Sequence, residues 1–368
     1  MYIVNYLERN NKNTMSNIKV NDTPVRTCKS FNINNIAISN LEPVKDIVEF
    51  NNVEVLGNST KVQIEEIKTP INLKYGLGED LTNELNKYSN QNYKITVDSK
   101  TNKETRFNFN FDKNNTVLIE NVDVIANEGT NSTFILKYES EKDLKSYHNG
   151  IIKLNAKAKS NVNIIIINLL SDISNNFITI DNVIEESANV KYTIVDFGGQ
   201  ATVTNYYANV KGDFAQNELN TLYIGKEKQI IDLNYIAELY GEKSIVNIDV
   251  QGALKDKAKK NFKGTIDFKT GCKKAKGEEN ENCVLLSDTA KSIALPMLLC
   301  SEEDVEGAHS SSAGKIGNKE LFYIMSRGFE LKEAQKLLVR ANFNRILDTI
   351  KDEELKDQIL KEIDRRLD

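Results

Sequence analysis

Apolar and polar residues alternate with a period of two over much of the chain between residues 106 and 300. Phe107, Phe109 and Phe111 are separated by asparagines, and residues 152–159 carry four apolar side chains that alternate with four polar ones. Successive side chains of a β-strand point to opposite faces, so this pattern predicts strands with one buried face. Further segments of this kind lie at 162–170, 177–183, 190–195, 245–250 and 264–268.

Turn-forming residues separate these segments, and no long helical pattern interrupts them. Gly198-Gly199, Gly212-Asp213 and Gly241 are typical of the connections. Many short strands without intervening helices exclude a doubly wound α/β fold. A sandwich, a propeller and a solenoid all stay open, because the sequence shows no strict repeat period that would select one of them. The central region is therefore predicted to be mainly β.

The two flanking regions differ from this β-rich centre. In the N-terminal region, residues 81–88 have helical spacing, whereas 53–55 and 62–64 indicate short strands. The C-terminal region has helical spacing throughout. We expect three parts: a mixed region at 1–105, a β core at 106–316 and a helical subdomain at 317–368.

The first helix of the C-terminal region has recognisable end signals. Asn318 is the predicted N-cap, and Glu320 lies in the first turn, where an acidic side chain is favourable. Gly328 directly follows Arg327, at a position that suits a C-cap glycine. These signals predict a helix from about residue 319 to residue 327.

Composition and charge exclude several classes of function. The 48 basic and 53 acidic residues are well mixed and give a formal net charge of −5, so no basic surface for nucleic acid is indicated. The longest apolar run, at 164–170, is far too short to span a bilayer. The first residues lack the basic and apolar segments of a secretory signal. These features predict a cytoplasmic protein that binds neither nucleic acid nor membrane.

The cysteines indicate neither disulfides nor a zinc site that is complete in itself. Cys28, Cys272, Cys283 and Cys300 lie far apart, with no C-x-x-C pair among them. The sequence also contains no P-loop, no G-x-S-x-G and no H-E-x-x-H motif. We therefore expect no enzyme of these kinds, and any energy from ATP has to come from a partner.

Residues 284–345 combine features that form an unusual arrangement. An apolar, strand-like run reaches Pro296, an acidic turn follows, and a lone His309 then lies among the small residues 307–314. This combination resembles the C-terminal signature of the SufB/SufD family, the scaffold subunits of iron–sulfur cluster assembly. The matching elements are 285–287, Pro296, Asp304-Val305, His309, Gly314, 321–323 and 326–328.

The resemblance is strongest over 195–345 and is closest to SufD. It implies a right-handed parallel β-helix for the core, and a non-catalytic scaffold subunit. Such a subunit pairs with SufB through the β-helix edge near 285–315 and docks the ABC-type ATPase SufC through its helical tail. An iron–sulfur cluster is then held transiently in the complex, and no cofactor is bound tightly by this chain alone.

His309 is the first candidate residue for cluster assembly. Neutral imidazole binds iron, and small neighbours let a partner approach the ring. From the residues alone, a loop histidine bonded to a backbone carbonyl is the simpler interpretation, but the resemblance implies a role at the interface with SufB. The motif departs from the family twice. Ser310 stands where SufB-type chains have glutamate, and Gly307 stands where SufD-type chains commonly have cysteine.

Cys283 is the second candidate. SufB-type chains carry an essential cysteine that corresponds to Glu281 when the sequences are aligned on Pro296. Cys283 lies two residues further on and would share the strand face of Glu281. A buried apolar role is the competing interpretation of this thiol and of Cys300. The missing cysteine at 281 favours the SufD type, which lends a histidine to the sulfur of its partner.

The helical tail carries the candidate docking residues for the ATPase. The resemblance implies this role for Phe322, Tyr323, Arg327, Leu337 and Phe343. The alternative is that these side chains form the core of the subdomain. Both can hold if the inward residues pack and the outward ones dock.

Two further functions stay open at this point. One is a SufB-like primary scaffold that acts as a homodimer, so the sequence does not decide whether the partner is SufB or a second copy. The other is a β-helix carbohydrate-active enzyme. That class needs clustered carboxylates beside aromatic platforms on one solenoid face, and the sequence shows no such cluster.

Overall fold

Twenty strands and four helices make up the described part of the chain. The computed structural model describes residues 18–25, 33–34, 36–38, 41, 44, 46–57 and 61–368, so Cys28 lies outside the described residues. The strands are β1 (Ile18–Val20), β2 (Ile36–Ile38), β3 (Val53–Leu56), β4 (Val62–Glu65), β5 (Gln91–Val97), β6 (Lys103–Phe111), β7 (Val117–Ala126), β8 (Asn131–Ser140), β9 (Tyr147–Ala156), β10 (Asn161–Leu169), β11 (Asn175–Ile184), β12 (Asn189–Asp196), β13 (Ala201–Val210), β14 (Gln216–Gly225), β15 (Ile230–Leu239), β16 (Ile245–Leu254), β17 (Lys259–Phe268), β18 (Lys276–Leu285), β19 (Lys291–Cys300) and β20 (Glu306–Lys315). The helices are α1 (Glu79–Tyr88), α2 (Asn318–Met325), α3 (Leu331–Leu347) and α4 (Glu353–Leu367).

From β5 onward the chain winds as a β-solenoid with two strands in each turn. Even-numbered strands from β6 to β20 form one sheet and odd-numbered strands from β5 to β19 form the other. Each strand pairs in parallel with the strand two positions along the chain. The short β3 and β4 add antiparallel at the N-terminal end of the two sheets. The predicted β-solenoid is confirmed, and it already includes β5, ahead of residue 106.

The length of the turns explains why the sequence shows no strict period. Along the odd-numbered sheet, Asn175 pairs with Ala201, an offset of 26 residues. Lys259 pairs with Lys291, an offset of 32 residues. The strands keep similar lengths while the connections vary, so the hydrophobic pattern repeats in space without repeating at a fixed interval along the chain.

Tight turns with left-handed residues connect the sheets. The backbone N–H of Ser160 donates to the carbonyl of Lys157 at 3.0 Å, and Lys159 between them has a φ of 59°. Ser187 repeats this conformation one turn later with a φ of 56°, and the buried Ala188 follows it. In both turns a small buried residue, Ser160 or Ala188, follows the left-handed position and lets the chain turn sharply into the next strand.

The N-terminal region covers the outer face of the odd-numbered sheet. Asn21 lies just after β1 and donates to the Asp232 carboxylate at 2.6 Å. Lys263 is fully buried, pairs with Asp232 at 2.6 Å and donates to the Asn21 carbonyl at 2.8 Å. Lys74, which is partly exposed, reaches the buried Glu238 at 2.5 Å. These polar contacts add to an apolar cluster that the N-terminal region forms with the same sheet.

The C-terminal helices cover the outer face of the even-numbered sheet. Val339, Phe343 and Ile346 of α3 are buried in a cluster that includes Ile165 and Phe197 of the solenoid. The predicted helical subdomain is present, yet its apolar residues pack on the sheet as well as on one another. Strands such as β10 are apolar on both faces because the helices cover the outer one.

The first C-terminal helix differs from the other two because it has no buried residue. It begins at Asn318 itself, and Gly317 rather than Asn318 occupies the N-cap position. Gly328 has a φ of 99° just beyond the helix, in agreement with its predicted role as a terminator. None of the helices in the described ranges has the length and apolar character needed to cross a bilayer.

Candidate functional site

The last strands of the two sheets, β19 and β20, form an open end of the solenoid. Each is the terminal strand of its sheet, so one side of its backbone has no strand partner among the described residues. Every residue of β20 is exposed. Its partner strand β18 instead largely alternates between buried residues and more accessible ones. The interior of the solenoid, called the lumen below, is therefore accessible at this end.

His309 lies in the middle of β20, not in a loop as the sequence suggested. It pairs with Glu279 of β18, and side chains at paired positions of parallel strands share one face of the sheet. The neighbouring rungs define that face. Ser311 Oγ donates to the Glu281 carboxylate at 2.8 Å, and a Cβ at Gly307 would lie 3.0 Å from the Phe268 ring. Positions 307, 309 and 311 thus face the lumen.

A buried ion pair lies one rung inside this open end. The ammonium of Lys260 lies 2.6 Å from the Glu281 carboxylate, and neither side chain is accessible to solvent. Tyr223 donates its hydroxyl to the same carboxylate oxygen at 3.2 Å. Gly252 makes this contact possible, because a Cβ there would lie 1.9 Å from the Tyr223 ring. The position that holds a cysteine in SufB-type chains is thus a carboxylate paired with a lysine.

Glu279 has a different environment from Glu281 although the two residues share a strand face. Among the described residues, neither of its carboxylate oxygens has a hydrogen-bond partner, and the side chain is fully buried. Burial, with a smaller contribution from the charge of Glu281, raises the pKa of Glu279 to about 8. A Cβ at Gly264 would lie 2.2 Å from this carboxyl group, so glycine provides the space that it occupies.

Cys283 is buried in the solenoid core, next to the same polar group. Burial raises the pKa of its thiol above the ordinary value, although Lys260 and Tyr223 act in the opposite direction. Thiolate is the form that attacks sulfur or binds metal, so a raised pKa keeps the side chain less reactive in the isolated chain. This environment suits the packing role that competed with ligation.

The buried apolar role expected for Cys300 is wrong, because the structure exposes this thiol at the open end of the solenoid. Cys300 ends β19, is exposed, and donates to the Glu302 carbonyl at 2.9 Å. Within the described residues, no group of three or more His, Cys, Asp and Glu side chains is arranged to hold a metal ion. Any metal bound at this end therefore needs ligands beyond a preformed set of three from this chain.

Sequence reasoning missed Lys260, Glu279 and Tyr223. A signal for Glu279 was present in the alternation of its strand. Residues 276–285 place Glu279, Glu281 and Cys283 on one face, and an acidic face in line with a buried cysteine is unusual for a strand exposed to solvent. Tyr223 gave no such signal, because its contact with Glu281 crosses two rungs of the solenoid.

Four of the five predicted docking residues lie on the surface of the C-terminal helices. Phe322, Tyr323 and Leu337 are exposed by 75%, 59% and 39%. Arg327 donates to the Tyr323 hydroxyl at 2.9 Å and stacks over that ring at 5.1 Å from its centre. Phe343 has to be removed from this set. It is fully buried and its ring lies 6.4 Å from that of Phe197, so it belongs to the core beneath α3.

Comparison with known proteins agrees with this architecture. Residues 109–342 match the family model described as "SUF system FeS cluster assembly, SufBD core domain". The chain is 28% identical over 166 residues to the iron–sulfur cluster assembly protein SufD of Bacillus subtilis, covering 45% of this chain and 38% of the relative. It is 24% identical over 242 residues to SufD of Escherichia coli, covering 65% of this chain and 57% of the relative.

A third relative comes from an archaeon. The chain is 31% identical over 151 residues to an iron–sulfur cluster assembly SufBD family protein of Pyrococcus horikoshii, with 40% of this chain and 33% of the relative covered. In all three comparisons the matched segment spans less than two thirds of the relative. The family model itself covers the solenoid, its open end and the start of the helical cover. The chain therefore belongs to the SufBD core-domain family of the SUF system of iron–sulfur cluster assembly.

Proposed function

We propose that this chain is a SufD-like scaffold subunit of a complex that builds iron–sulfur clusters, with iron and sulfide as cargo. One observation carries the proposal. His309 faces the lumen on an unpaired edge strand, while Glu281 replaces the cysteine expected of a SufB-type chain. An imidazole at an open edge can ligate iron together with groups of a partner. The two relatives named SufD support the same assignment.

The partner docks at the open end of the solenoid, through β19 and β20. An edge strand presents unpaired N–H and C=O groups that a strand of another chain can satisfy. Ala294, Pro296 and Leu298 on the lumen side of β19 are only half-buried, so a second solenoid placed end to end would also cover apolar surface. The partner that this proposal names is a SufB-like subunit. A second copy of the chain is the alternative.

An ABC-type ATPase of the SufC kind docks on the helical cover, near α2. Phe322, Tyr323 and Arg327 lie together on this surface, and aromatic and arginine side chains are enriched among the residues that dominate binding energy. Phe329 and Leu331 extend the exposed apolar surface, at 44% and 48% exposure. The sequence contains no P-loop, so a partner has to supply ATP hydrolysis.

In this mechanism the residues of the open end have separate roles. His309 offers a ring nitrogen to iron at the interface, because the residue is exposed on the edge strand. Ser311 connects the edge strand to the buried Glu281–Lys260 pair and so fixes the rung beside the histidine. The partner supplies sulfur-bearing ligands, and the ATPase supplies the energy to open and close the assembly.

Cluster formation in the complex tests the proposal. His309→Ala would be expressed with SufB-like and SufC-like partners, and cluster content would be measured by visible absorption and by iron and sulfide content. We expect the complex to stay folded, because replacing an exposed side chain changes the free energy of unfolding by no more than about 0.5 kcal/mol. We expect a strong loss of cluster, because the variant lacks the proposed iron ligand. Ser310→Ala is the matched control, since this neighbour faces outward and donates to Asn280.

A wild-type cluster content in His309→Ala would contradict the proposed role of the histidine. The SufB-like alternative predicts a different result. A primary scaffold, reconstituted alone with iron and sulfide, would hold a cluster as a homodimer. The SufD-like assignment predicts cluster only in the mixed complex.

A further inference from the structure

The first C-terminal helix, α2, has a glycine at each end. Gly317 occupies its N-cap position without a side-chain cap, and Gly328 has a φ of 99° just beyond its last turn. The side chains of Tyr323 and Ser326 form their hydrogen bonds within the helix and the turn that follows it. Hinges are formed by a few residues that absorb changes in φ and ψ, and glycine absorbs them at the least steric cost. Both ends of α2 therefore permit the helix to move as a unit.

A cleft of about 500 Å³ lies between α2 and the solenoid. Leu321 lines it from the helix, and Leu285 and Leu286 line it from the end of β18 and the turn after that strand. Leu321 and Ile324 are half-buried, and every other residue of α2 is exposed. The rest of the lining is Ser287, Asp288, Lys315, Ile316, Asn318 and Gln335. The helix thus stands beside an apolar wall of the solenoid without filling the space between them.

Apolar residues lie on two sides of α2. Residues three or four positions apart share a helix face, so Ile324 and Met325 lie on the same side as Leu321, towards the cleft. Phe322 and Tyr323 lie on the other side, which is the proposed docking surface. A helix that is apolar on both sides is normally buried on both sides. The proposed partner supplies one covering surface, and the cleft supplies the other within this chain.

Docking and closure of the cleft are linked through the rigidity of the helix. Closure places the apolar side of α2 against Leu286, but it removes the freedom of the glycine hinges and the water around the polar lining. These costs leave the free chain open. A partner loses less freedom on binding when its docking surface is already fixed, so it binds the closed arrangement more tightly than the open one. A ligand with such a difference in affinity shifts the population towards closure.

We propose that α2 is a hinged lid, which closes onto the cleft beside Leu285 and Leu286 when the ATPase docks on its outer side. This inference rests on the proposed docking of the ATPase and deepens it, because it adds a conformational step that the partner controls. Gly317 and Gly328 absorb the change in chain direction, and Leu321 enters the cleft. Docking then depends on residues of the solenoid wall that the partner itself does not contact.

A cysteine pair across the cleft tests the lid in the full-length chain. Leu286→Cys and Leu321→Cys would be combined, and formation of the disulfide between positions 286 and 321 would be followed in a glutathione buffer by mass spectrometry. We expect the rate to rise at least fivefold when the SufC-like ATPase is added. The oxidised chain should bind the ATPase at least threefold more tightly than the reduced chain in calorimetry. Leu286→Cys with Lys319→Cys is the matched control, because residue 319 lies on the outer side of α2 and its rate should not rise.

A second measurement needs no introduced cysteine. Leu286→Ala should weaken binding of the ATPase at least threefold, because it removes part of the wall on which the closed lid packs. Leu169→Ala is the matched control. This leucine is half-buried against the same apolar cluster as Leu286 but does not line the cleft, so its replacement should leave the affinity unchanged.

The outcomes separate the lid from the docking function on which it rests. A slower disulfide rate with the ATPase, together with weaker binding by the oxidised chain, overturns the lid, because the partner then inserts into the cleft itself. If the ATPase binds wild type while the disulfide rate and the affinity of Leu286→Ala stay unchanged, docking stands and the lid fails. If the rate rises while Phe322→Ala binds as tightly as wild type, the lid stands and the proposed docking surface fails. Absence of binding to the wild-type chain overturns both.

Discussion

The two outer faces of the solenoid are covered by different mixtures of contacts. The N-terminal region packs an apolar cluster on the odd-numbered sheet and adds buried polar contacts to it, such as those of Asn21 with Asp232 and Lys263, whereas the C-terminal helices are held on the even-numbered sheet mainly by aliphatic and aromatic packing. The contribution of a buried polar contact to stability is lost when either partner is removed or changes its protonation. The contribution of apolar packing falls in proportion to the side-chain volume that is removed. The N-terminal cover thus depends on a few polar contacts as well, and the apolar cover formed by the helices tolerates small changes.

The largest effect on stability is expected when Lys263, the buried cation beneath the N-terminal cover, is replaced. Lys263→Met leaves Asp232 buried without its partner, and breaking such a pair costs about 3–5 kcal/mol. Urea unfolding would measure the change in the free energy of unfolding, and limited proteolysis would test whether the chain around Asn21 is released. Lys259→Met is the control, because this lysine on the same strand is exposed. Equal stability of the two variants would show that the pair does not anchor the cover.

Acid should weaken the N-terminal cover at Glu238. Burial favours a higher pKa of Glu238, but the hydrogen bonds from Lys74 and Tyr207 and the charge of Lys269 outweigh it and lower the pKa to about 2. A depressed carboxyl pKa adds stability that is complete above about pH 4.5 and is lost as the pH falls towards 2. After allowance for partial screening by solvent, we expect a loss of about 1–2 kcal/mol.

The variant Glu238→Gln tests this pH dependence. It should lie below wild type in stability at pH 7 and come closer to it at pH 3, because the unfolded wild-type chain binds a proton at this carboxyl group there while the native chain still resists protonation. Chemical denaturation at a series of pH values provides the measurement. A constant difference between the two proteins across that range would exclude a contribution from the ionised carboxylate.

A small deletion in the apolar cover should have a graded effect. Ile346→Val removes one buried methylene beneath α3 and is expected to cost about 0.5–1.5 kcal/mol. The half-buried Ile324 on α2 provides the comparison, since Ile324→Val removes the same group at a less enclosed site. Thermal unfolding of both variants would sharpen the distinction between the two covers, and a loss above 3 kcal/mol for Ile346→Val would show that the apolar cover is not graded.

The smallest effect on stability is expected at the exposed end of the helical cover. Phe322→Ala should change the free energy of unfolding by less than about 0.5 kcal/mol, because three quarters of the ring is already in water. The same change should weaken binding of the SufC-like ATPase at least tenfold, as measured by calorimetry. Unchanged affinity would move the docking surface away from α2. Lys319→Ala on the same helix is the control for a general effect of substitution there.

Part of this architecture could be predicted from the sequence, and the limits have physical causes. The alternation at Phe107, Phe109 and Phe111 identified a strand with its apolar face inward, because the period of a strand is local. The register between strands was not predictable, since offsets from 26 to 32 residues depend on the connections. Phe322 and Phe343 have the same side chain on neighbouring helices, and only packing distinguishes the exposed ring from the buried one.

The candidate site, like the fold, was predictable from the sequence only in part. His309 was recognisable from its motif, but its position in a strand depends on the ladder with β18. Glu279 was not identified as a site residue, because an acidic stretch in a sequence is usually solvated. Its burial arises from the preceding and following rungs together with the space at Gly264. Information about the lumen is therefore spread over residues that are far apart along the chain.

The antiparallel strands β3 and β4 have a consequence for assembly size. They close the N-terminal end of the two sheets with strands of four residues each, whereas β19 and β20 leave the opposite end open. A rod with two open ends that fit each other would add copies head to tail without limit, as in a fibre. If the chain pairs through β19 and β20 as proposed, each rod has one such end and joins once, so we expect assemblies of two rods rather than fibres.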